Sequence, residues 1–452
     1  MSDLSPARRA AFEILMAVER GSSHSDDLLR GKAVSALPPN DRNLTTALVL
    51  GVLRWQVRLD QQLKGLLKRP GAKLDPEVLI ALRLGAFQLL YLDRIPAHAA
   101  IGESVELVKQ AGHRFASGMV NAVLRSAARS SLLDEPRGEL AAVQSHPVWM
   151  VERWVANYGA DAAHAICRHG QEQPALSVRI EGPEVEAELT QAGIVLAPGA
   201  LLTSARTVVS GDVAATAAFH AGRVRIQDEG SQLIAELAGC TRRDSDQKVE
   251  NIVDACAAPG GKAWILAERN PQARIVACEK SPQRLAQMRK RLAAHAGRIE
   301  CRLADATALE ESGAFDLALA DVPCSGTGTL GRNPEIRHRL RLEDLARHVE
   351  RQRAIVRATL RAVRPGGHVV YSTCSLEPEE NEQVVAAVLA DDRGVRQVSL
   401  LGRVESLLNG RILTRNSAEQ LRTCITPEGA LRLIPGELRT DGFYVCALER
   451  CK

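Results

Sequence analysis

Apolar residues recur at helical spacing through the first third of the chain. Segments of this type begin at Ser5-Pro6 and at Asp75-Pro76, and proline at the first helical position is a common start signal. Three further amphipathic segments cover residues 44–67, 97–109 and 117–128. Because alternating strand patterns are nearly absent here, the sequence predicts an all-α domain over residues 1–135.

The pattern changes beyond this domain. Residues 136–170 predict a helical connector, with its clearest helix over 147–158. From 171 to 230 short alternating segments such as LSVRI and GRVRIQ are separated by glycines. Short strands of this kind predict a small α/β subdomain.

Apolar strands and helices alternate through residues 231–452. Strands are predicted at Ile252–Ala255, Arg274–Glu279, Ile299–Leu303, Asp316–Asp321 and His368–Thr373. Such alternation predicts a parallel sheet with helices on both faces, and ligands of these sheets bind beyond the carboxyl ends of the strands. The predicted fold class is therefore multidomain: all-α, then small α/β, then a C-terminal α/β Rossmann-like domain.

Composition narrows the function only slightly. The formal net charge is +4, and residues 1–140 hold 19 Lys/Arg against 15 Asp/Glu, an excess that fits nucleic acid without requiring it. The ten cysteines form no CxxC pair and no Cys/His cluster, which favours reduced thiols and no metal site. With neither a signal peptide nor a long apolar run, the expectation is a cytoplasmic protein without a membrane partner.

The segment DACAAPGGKA (254–263) joins a strand end, a Gly-Gly turn and a helix start. Such a turn lets a ligand approach the backbone and the helix N-terminus, although it is neither GxGxxG nor a Walker loop. Glu279 ends the next strand, where an acid suits a ribose diol, and Asp305 follows the third, where it suits an adenine amino group. Taken alone, the Gly-Gly segment could be an ordinary turn, and Glu279 or Asp305 could be a solvated acid at a strand end. Together they predict a nucleoside ligand without obligatory phosphates, such as S-adenosylmethionine.

Two cysteines follow neighbouring predicted strands: Cys324 in DVPCSGTG (321–328) and Cys374 in YSTCSLEPEEN (371–381). Either could be a small buried hydrophobe, but paired beside a cofactor site they suit methylation at carbon 5 of cytosine. One thiolate would add to carbon 6 and make carbon 5 nucleophilic, and the second thiol would assist release. Asp321 is placed to hydrogen-bond at the pyrimidine N3 edge, where it needs a proton.

At these motifs the sequence resembles the Sun/Nop2 family of RNA 5-methylcytosine methyltransferases. The resemblance rests on DACAAPGGK, DVPCSGTG, YSTCSLEPEENE and the closing TDGFYVCALER (440–450). It implies that Cys374 is the nucleophile and that Cys324 acts in product release. The cofactor-binding residues that it implies are Cys256, Ala257, Ala258, Pro259, Gly260, Gly261, Lys262, Glu279, Asp305 and Asp321.

The N-terminal residues are similar to the NusB-type RNA-binding domain. RIPAHAAIGESVELVKQ (94–110) and GMVNAVLR (118–125) carry this likeness. In bacterial 16S rRNA methyltransferases of the Sun/Nop2 family such a domain is fused to the catalytic one, which implies 16S rRNA or an assembling small ribosomal subunit as partner, and RNA binding by the small α/β subdomain. The chain departs from the family at Glu279, where Asp is common, and at GRNPEIR (331–337), where RRHPDIK is common.

Arg332 and Arg337 follow the DVPC turn most closely and are the predicted RNA contacts. The other arginines of residues 337–364 are interpreted chiefly as a solvated helix face. Two alternatives stay open: the same chemistry on tRNA or another rRNA site, and a non-catalytic RNA-binding assembly factor. The intact Cys374, Cys324 and Asp321 argue against the latter.

Overall fold

The computed structural model describes residues 4–21, 24–130, 143–239 and 249–451. The chain forms two compact units, and each unit is made of two separate segments of the sequence. The first unit comprises Met1–Gln173 and Thr329–Leu340, and the second comprises Pro174–Gly328 and Arg341–Lys452. Within the described ranges, no helix is both long enough and apolar enough to cross a bilayer.

The first unit is helical, as predicted. Within its first segment the described helices are α1 Pro6–Glu19, α2 Ser25–Leu29, α3 Lys32–Ser35, α4 Pro39–Leu66, α5 Pro76–Tyr91, α6 Ala97–Gln110, α7 Ser117–Ala127, α8 Val148–Tyr158 and α9 Ala160–Gln171, and its second segment contains the short helix Ile336–Arg339. Helix α5 is central, since α1, α4, α6 and α7 all pack on it and Leu82 is fully buried. A Cβ at Gly51 would lie 2.0 Å from the Phe87 Cζ atom, so only glycine permits the close approach of α4 to α5.

Residues 329–340 belong to the first unit, although they follow the DVPCSGTG turn in sequence. Glu335 is buried, and its carboxylate accepts hydrogen bonds from the Ser25 backbone N–H at 3.0 Å and the Ser25 hydroxyl at 2.8 Å. The Arg54 guanidinium donates to the Gly331 carbonyl at 2.7 Å. These contacts hold the segment among the helices, because a buried polar group is stable only when it is paired.

Arg337 is buried in this segment, with 1% of its surface exposed. Its guanidinium donates to the backbone carbonyls of Arg54 at 3.1 Å, Ser145 at 3.3 Å and Gly170 at 2.8 Å. Burial, and then the charge of Arg54, lower the Arg337 pKa to about 9. The prediction of Arg337 as an RNA contact is wrong, because its side chain is enclosed by the protein and both terminal nitrogens donate to protein carbonyls. Arg332 is half-buried, and its contact with RNA stays a prediction.

The second unit begins with the predicted small α/β subdomain. Its elements are β1 Leu176–Ile180, α10 Pro183–Gln191, β2 Val195–Pro198, β3 Ala205–Ser210, α11 Ala217–His220 and β4 Val224–Ile226. The strands form an antiparallel sheet in the order β2-β3-β1-β4. Val178, Leu189 and Val224 form its core.

The predicted parallel sheet makes up the rest of the second unit. Its elements are α12 Glu229–Gly239, β5 Asn251–Asp254, α13 Gly261–Arg269, β6 Arg274–Glu279, α14 Pro282–Arg291, β7 Ile299–Leu303, β8 Phe315–Asp321, α15 Asp344–Ala362, β9 Val363–Thr373, α16 Glu382–Asp391, β10 Val395–Val398, α17 Leu401–Asn409, α18 Arg415–Thr423, β11 Leu431–Leu433 and β12 Phe443–Arg450. The order is β10-β12-β9-β8-β5-β6-β7, with β11 also paired to β12. Strands β5 to β9 run parallel, and β10, β11 and β12 pair antiparallel.

Strand β9 differs from the prediction at its start. It begins at Val363 rather than His368, and its pairing with β8 shifts register between Phe315 and Leu317. The Pro-Gly-Gly sequence therefore lies within the strand as an irregularity, because proline and glycine are tolerated where ladder pairing is interrupted.

We expect Arg337→Ala to lower the free energy of unfolding of the first unit by about 3 kcal/mol, because it leaves three carbonyls without their buried donor. Urea unfolding followed by circular dichroism measures the change. Arg125→Ala, which removes an exposed arginine of the same unit, is the control and should change stability by less than about 0.5 kcal/mol. Equal effects of the two substitutions would contradict the structural role of Arg337.

Candidate active site

The predicted site residues meet at the carboxyl edge of the parallel sheet. The CAAPGGK loop follows β5, Glu279 ends β6 and Asp305 follows β7. Asp321 ends β8, and Cys374 follows β9. Because β5 pairs with both β6 and β8, the cofactor loop lies between the predicted ribose acid and the predicted chemical groups.

Two glycines shape the loop after β5. Gly260 has a φ of 103°, in the left-handed region, where a side chain would be strained. A Cβ at Gly261 would lie 3.0 Å from the Gln227 Oε1 atom. The loop therefore turns tightly into α13, whose first N–H groups lack intrahelical partners and would suit an anionic group of a ligand.

Lys262 and Asp321 form an ion pair at the start of α13. The Lys262 Nζ atom lies 2.7 Å from Asp321 Oδ2, and the Ser372 hydroxyl donates to Asp321 Oδ1 at 2.7 Å. Burial acts to lower the Lys262 pKa, but the charges of Asp321, Asp254 and Cys374 outweigh it and raise the value. Lys262 therefore stays protonated beside Asp321.

Asp254 is a site residue that the sequence analysis missed. It is 1% exposed, and among the described residues neither carboxylate oxygen has a hydrogen-bond partner of good geometry. Burial, followed by the charge of Asp321, raises its pKa to about 7, although Lys262 and the Cys256 N–H oppose the shift. The sequence did contain a signal for Asp254, because an acidic residue ends an apolar strand there. A buried carboxyl group without partners is costly, so such an acid calls for an explanation.

The two other acids have local partners. Glu279 is 7% exposed and accepts from the Ser281 N–H at 2.7 Å. Asp305 accepts from Lys280 Nζ at 2.5 Å and from the Thr307 N–H at 3.0 Å. These contacts, that of Lys280 foremost, lower the Asp305 pKa to about 2. Asp305 is therefore an ionised carboxylate at the edge, and it is able to accept a hydrogen bond from an amino group.

The two cysteines lie side by side, which confirms the expectation from their strand positions. Asp321 on β8 pairs with Ser372 on β9 in parallel register, and the Cys324 and Cys374 sulfurs are 3.4 Å apart. The hydrogen bond to Cys374, burial and the charge of Cys374 raise the Cys324 pKa well above its ordinary value. Cys324 therefore keeps its proton and can donate it toward the Cys374 sulfur.

Hydrogen bonds join the turns that carry these cysteines. The Gly328 N–H donates to the Cys374 carbonyl at 2.9 Å, and the Leu376 N–H donates to the Thr327 hydroxyl at 2.8 Å. A Cβ at Gly328 would lie 2.5 Å from the Gly442 carbonyl oxygen. The GTG of one motif and the DGF of the closing motif are thus in direct backbone contact.

Comparison with known proteins identifies the family. The profile of the family described as 16S rRNA methyltransferase RsmB/F matches residues 244–449. The chain is 33% identical to the probable ribosomal RNA small subunit methyltransferase B of Bacillus subtilis, covering 98% of both chains. The chain belongs to the RsmB/F family of methyltransferases.

Further likenesses cover the whole of this RsmB/F family member. A NusB family profile matches residues 5–129, and a ferredoxin-like RsmF/B domain profile matches residues 146–209. The ribosomal RNA small subunit methyltransferase B of Pseudomonas syringae pv. tomato is 34% identical over 88% of this chain and 89% of that protein. The crystal structure of PH0851 has the same fold, with a TM-score of 0.78 at 22% identity over 99% of each chain. The predicted Sun/Nop2 resemblance with a NusB-like domain is confirmed.

The raised pKa of Asp254 predicts a pH-dependent stability. The folded protein binds this proton more tightly than the unfolded chain, whose pKa is near 3.8. The stability that Asp254 contributes is thus present below about pH 4 and is lost as the pH rises through about 7. We expect Asp254→Asn to gain roughly 2 to 4 kcal/mol relative to wild type between pH 4 and pH 8.

Denaturant unfolding of both proteins at the two pH values measures this difference. Asp391→Asn removes an exposed carboxylate bonded to Arg353 and Arg357 and serves as the control. If wild type and Asp254→Asn keep the same stability difference at both pH values, Asp254 is ionised throughout and the argument fails.

Proposed function

We propose that this protein transfers a methyl group from S-adenosylmethionine to carbon 5 of a cytosine in 16S rRNA, through a covalent bond between Cys374 and carbon 6. The observation that carries the proposal is the pair of sulfurs 3.4 Å apart at neighbouring strand ends. One thiol suffices for a covalent bond to the substrate, and a second thiol this close would be able to assist the release step.

The residues at the edge fit S-adenosylmethionine. Residues 256–262 would hold its methionine part, Glu279 its ribose and Asp305 its adenine. Asp321, Glu279 and Asp305 bring carboxyl groups to this edge, and such groups suit the cationic sulfonium and amino groups of this ligand. When bound, this ligand supplies the methyl group.

The raised pKa of Cys324 supports the assignment of Cys374 as the nucleophile. Cys324 holds its proton, so its S–H stabilises a thiolate on Cys374. The Cys374 thiolate adds to carbon 6, and the electron pair moves to carbon 5, which accepts the methyl group. A base then removes the proton on carbon 5, and the carbon 6–sulfur bond breaks to restore the thiolate. We assign Cys324, whose sulfur lies 3.4 Å from that of Cys374, to assist this release step.

Lys262 and Asp321 would act on the pyrimidine N3 edge. Addition to carbon 6 places negative charge on the ring, and a proton at N3 neutralises it. The protonated Lys262, 2.7 Å from Asp321, is a proton source for a carboxyl group in that role.

The assignment of 16S rRNA rests on the relatives. Those of Bacillus subtilis and Pseudomonas syringae are described as small-subunit rRNA methyltransferases. The NusB-like helices and the ferredoxin-like subdomain give the chain two modules for RNA in addition to the catalytic sheet. We therefore propose naked 16S rRNA or an assembling small subunit as the substrate, encountered in the cytoplasm.

Substitution of each cysteine tests the chemistry. Wild type, Cys374→Ala and Cys324→Ala are incubated with methyl-labelled S-adenosylmethionine and 16S rRNA from a strain that lacks this modification, and the products are separated on denaturing gels. We expect Cys374→Ala to lose at least about a thousandfold in rate and to form no adduct. Cys324→Ala should accumulate a covalent protein–RNA adduct.

Cys301→Ala, which removes a half-buried thiol from β7, is the matched control and should retain activity. Methylation by Cys374→Ala would instead make Cys324 the nucleophile. Labelling of tRNA in preference to 16S rRNA would change the substrate. If wild type labels no RNA, the non-catalytic reading replaces this proposal.

A further inference from the structure

We propose that Glu380 is the positioning residue that fixes Cys324 and Cys374 relative to each other. The inference deepens the proposed function, on which its kinetic consequence rests, but its geometric consequence does not depend on any reaction. Glu380 lies in a single helical turn, Pro378–Glu380, and is fully buried.

The Glu380 carboxylate binds the residue that follows each cysteine. Its Oε1 atom accepts from the Ser325 N–H at 2.9 Å, and its Oε2 atom accepts from the hydroxyls of Ser325 and, at 2.5 Å, Ser375. The two hydroxyl oxygens are themselves 3.0 Å apart. One carboxylate therefore clamps both cysteine turns at the positions directly beyond the sulfurs.

Neighbouring groups hold the clamp from the other side. The Gln352 side chain, on α15, donates to Glu380 Oε1 at 2.9 Å and to the Pro323 carbonyl at 3.1 Å. The Tyr371 hydroxyl donates to the Glu380 carbonyl at 2.5 Å. Hydrogen bonds thus fix both the side chain and the backbone of Glu380. Both cysteine turns are held by this one immobilised residue.

The charge of Glu380 has a second effect. All four of its side-chain donors are neutral groups, so a buried negative charge remains close to the sulfurs. That charge is one of the causes that raise the Cys324 pKa. An amide of the same shape would keep the turn packed but would present an N–H group to Ser325 and Ser375 and remove the charge.

The first test needs neither RNA nor S-adenosylmethionine. The full-length protein is equilibrated with glutathione, in which two thiols and one oxidised glutathione give one protein disulfide and two reduced glutathiones. Peptide mass mapping quantifies the Cys324–Cys374 disulfide. We expect its equilibrium constant to fall about tenfold in Glu380→Ala and measurably in Glu380→Gln, because proximity sets the effective concentration of paired thiols.

Glu382→Gln is the matched control. It makes the same change two residues away, in a side chain paired with Arg432 at 2.6 Å, and should leave the equilibrium unchanged. If Glu380→Gln unfolds like wild type and also keeps the wild-type disulfide equilibrium, Glu380 does not set the sulfur geometry and the inference is overturned. This outcome is independent of whether the proposed methylation occurs.

The second test separates positioning from folding through steady-state kinetics on 16S rRNA. For Glu380→Gln we expect kcat to fall by about 100-fold while KM for RNA and for S-adenosylmethionine stays within about twofold, as small misplacements of reacting groups affect turnover more than binding. Wild-type kcat, or a KM increase that accounts for the whole loss, would contradict the inference.

Discussion

The parallel pairing of β8 with β9 is the constraint on which the candidate site depends. Asp321 lies opposite Ser372 in this pairing, so both strands end at the same level and their following turns lie side by side. Each turn then carries one cysteine, and the sulfurs come within 3.4 Å. A slip of one residue would move each side chain to the other face of the sheet, so the register of these strands controls the chemistry.

Burial of charge is the second theme of the site. Asp254 and Glu380 are both almost fully enclosed, but they differ in their partners. Glu380 has four hydrogen-bond donors, whereas Asp254 lacks partners of good geometry among the described residues. A buried carboxylate with hydrogen-bond partners is held rigidly in place. A buried carboxyl group without such partners binds a proton more readily and has a raised pKa. The two acids thus have different uses within one sheet edge.

The segment 329–340 shows how sequence proximity can mislead. It follows the Cys324 turn directly, and its arginines suggested RNA contacts beside the chemistry. In the structure Glu335 and Arg337 are buried in the helical unit, where they bind Ser25 and three backbone carbonyls. The GRNPEIR sequence thus contributes intramolecular anchors, which explains why a planar multi-donor guanidinium suits position 337.

The sequence by itself determined the local features of this protein. The apolar pattern located α5 and β6 closely, because most of their side chains are buried, and the Gly-Gly turn marked the loop that enters α13. The strand-end rule also placed Cys324 and Cys374 together. Tertiary structure alone decided which polar groups lose water. Burial made Arg337 an internal anchor, left Asp254 protonatable near neutral pH and turned Glu380 into a clamp, because desolvation and hydrogen-bond partners depend on residues distant in the chain.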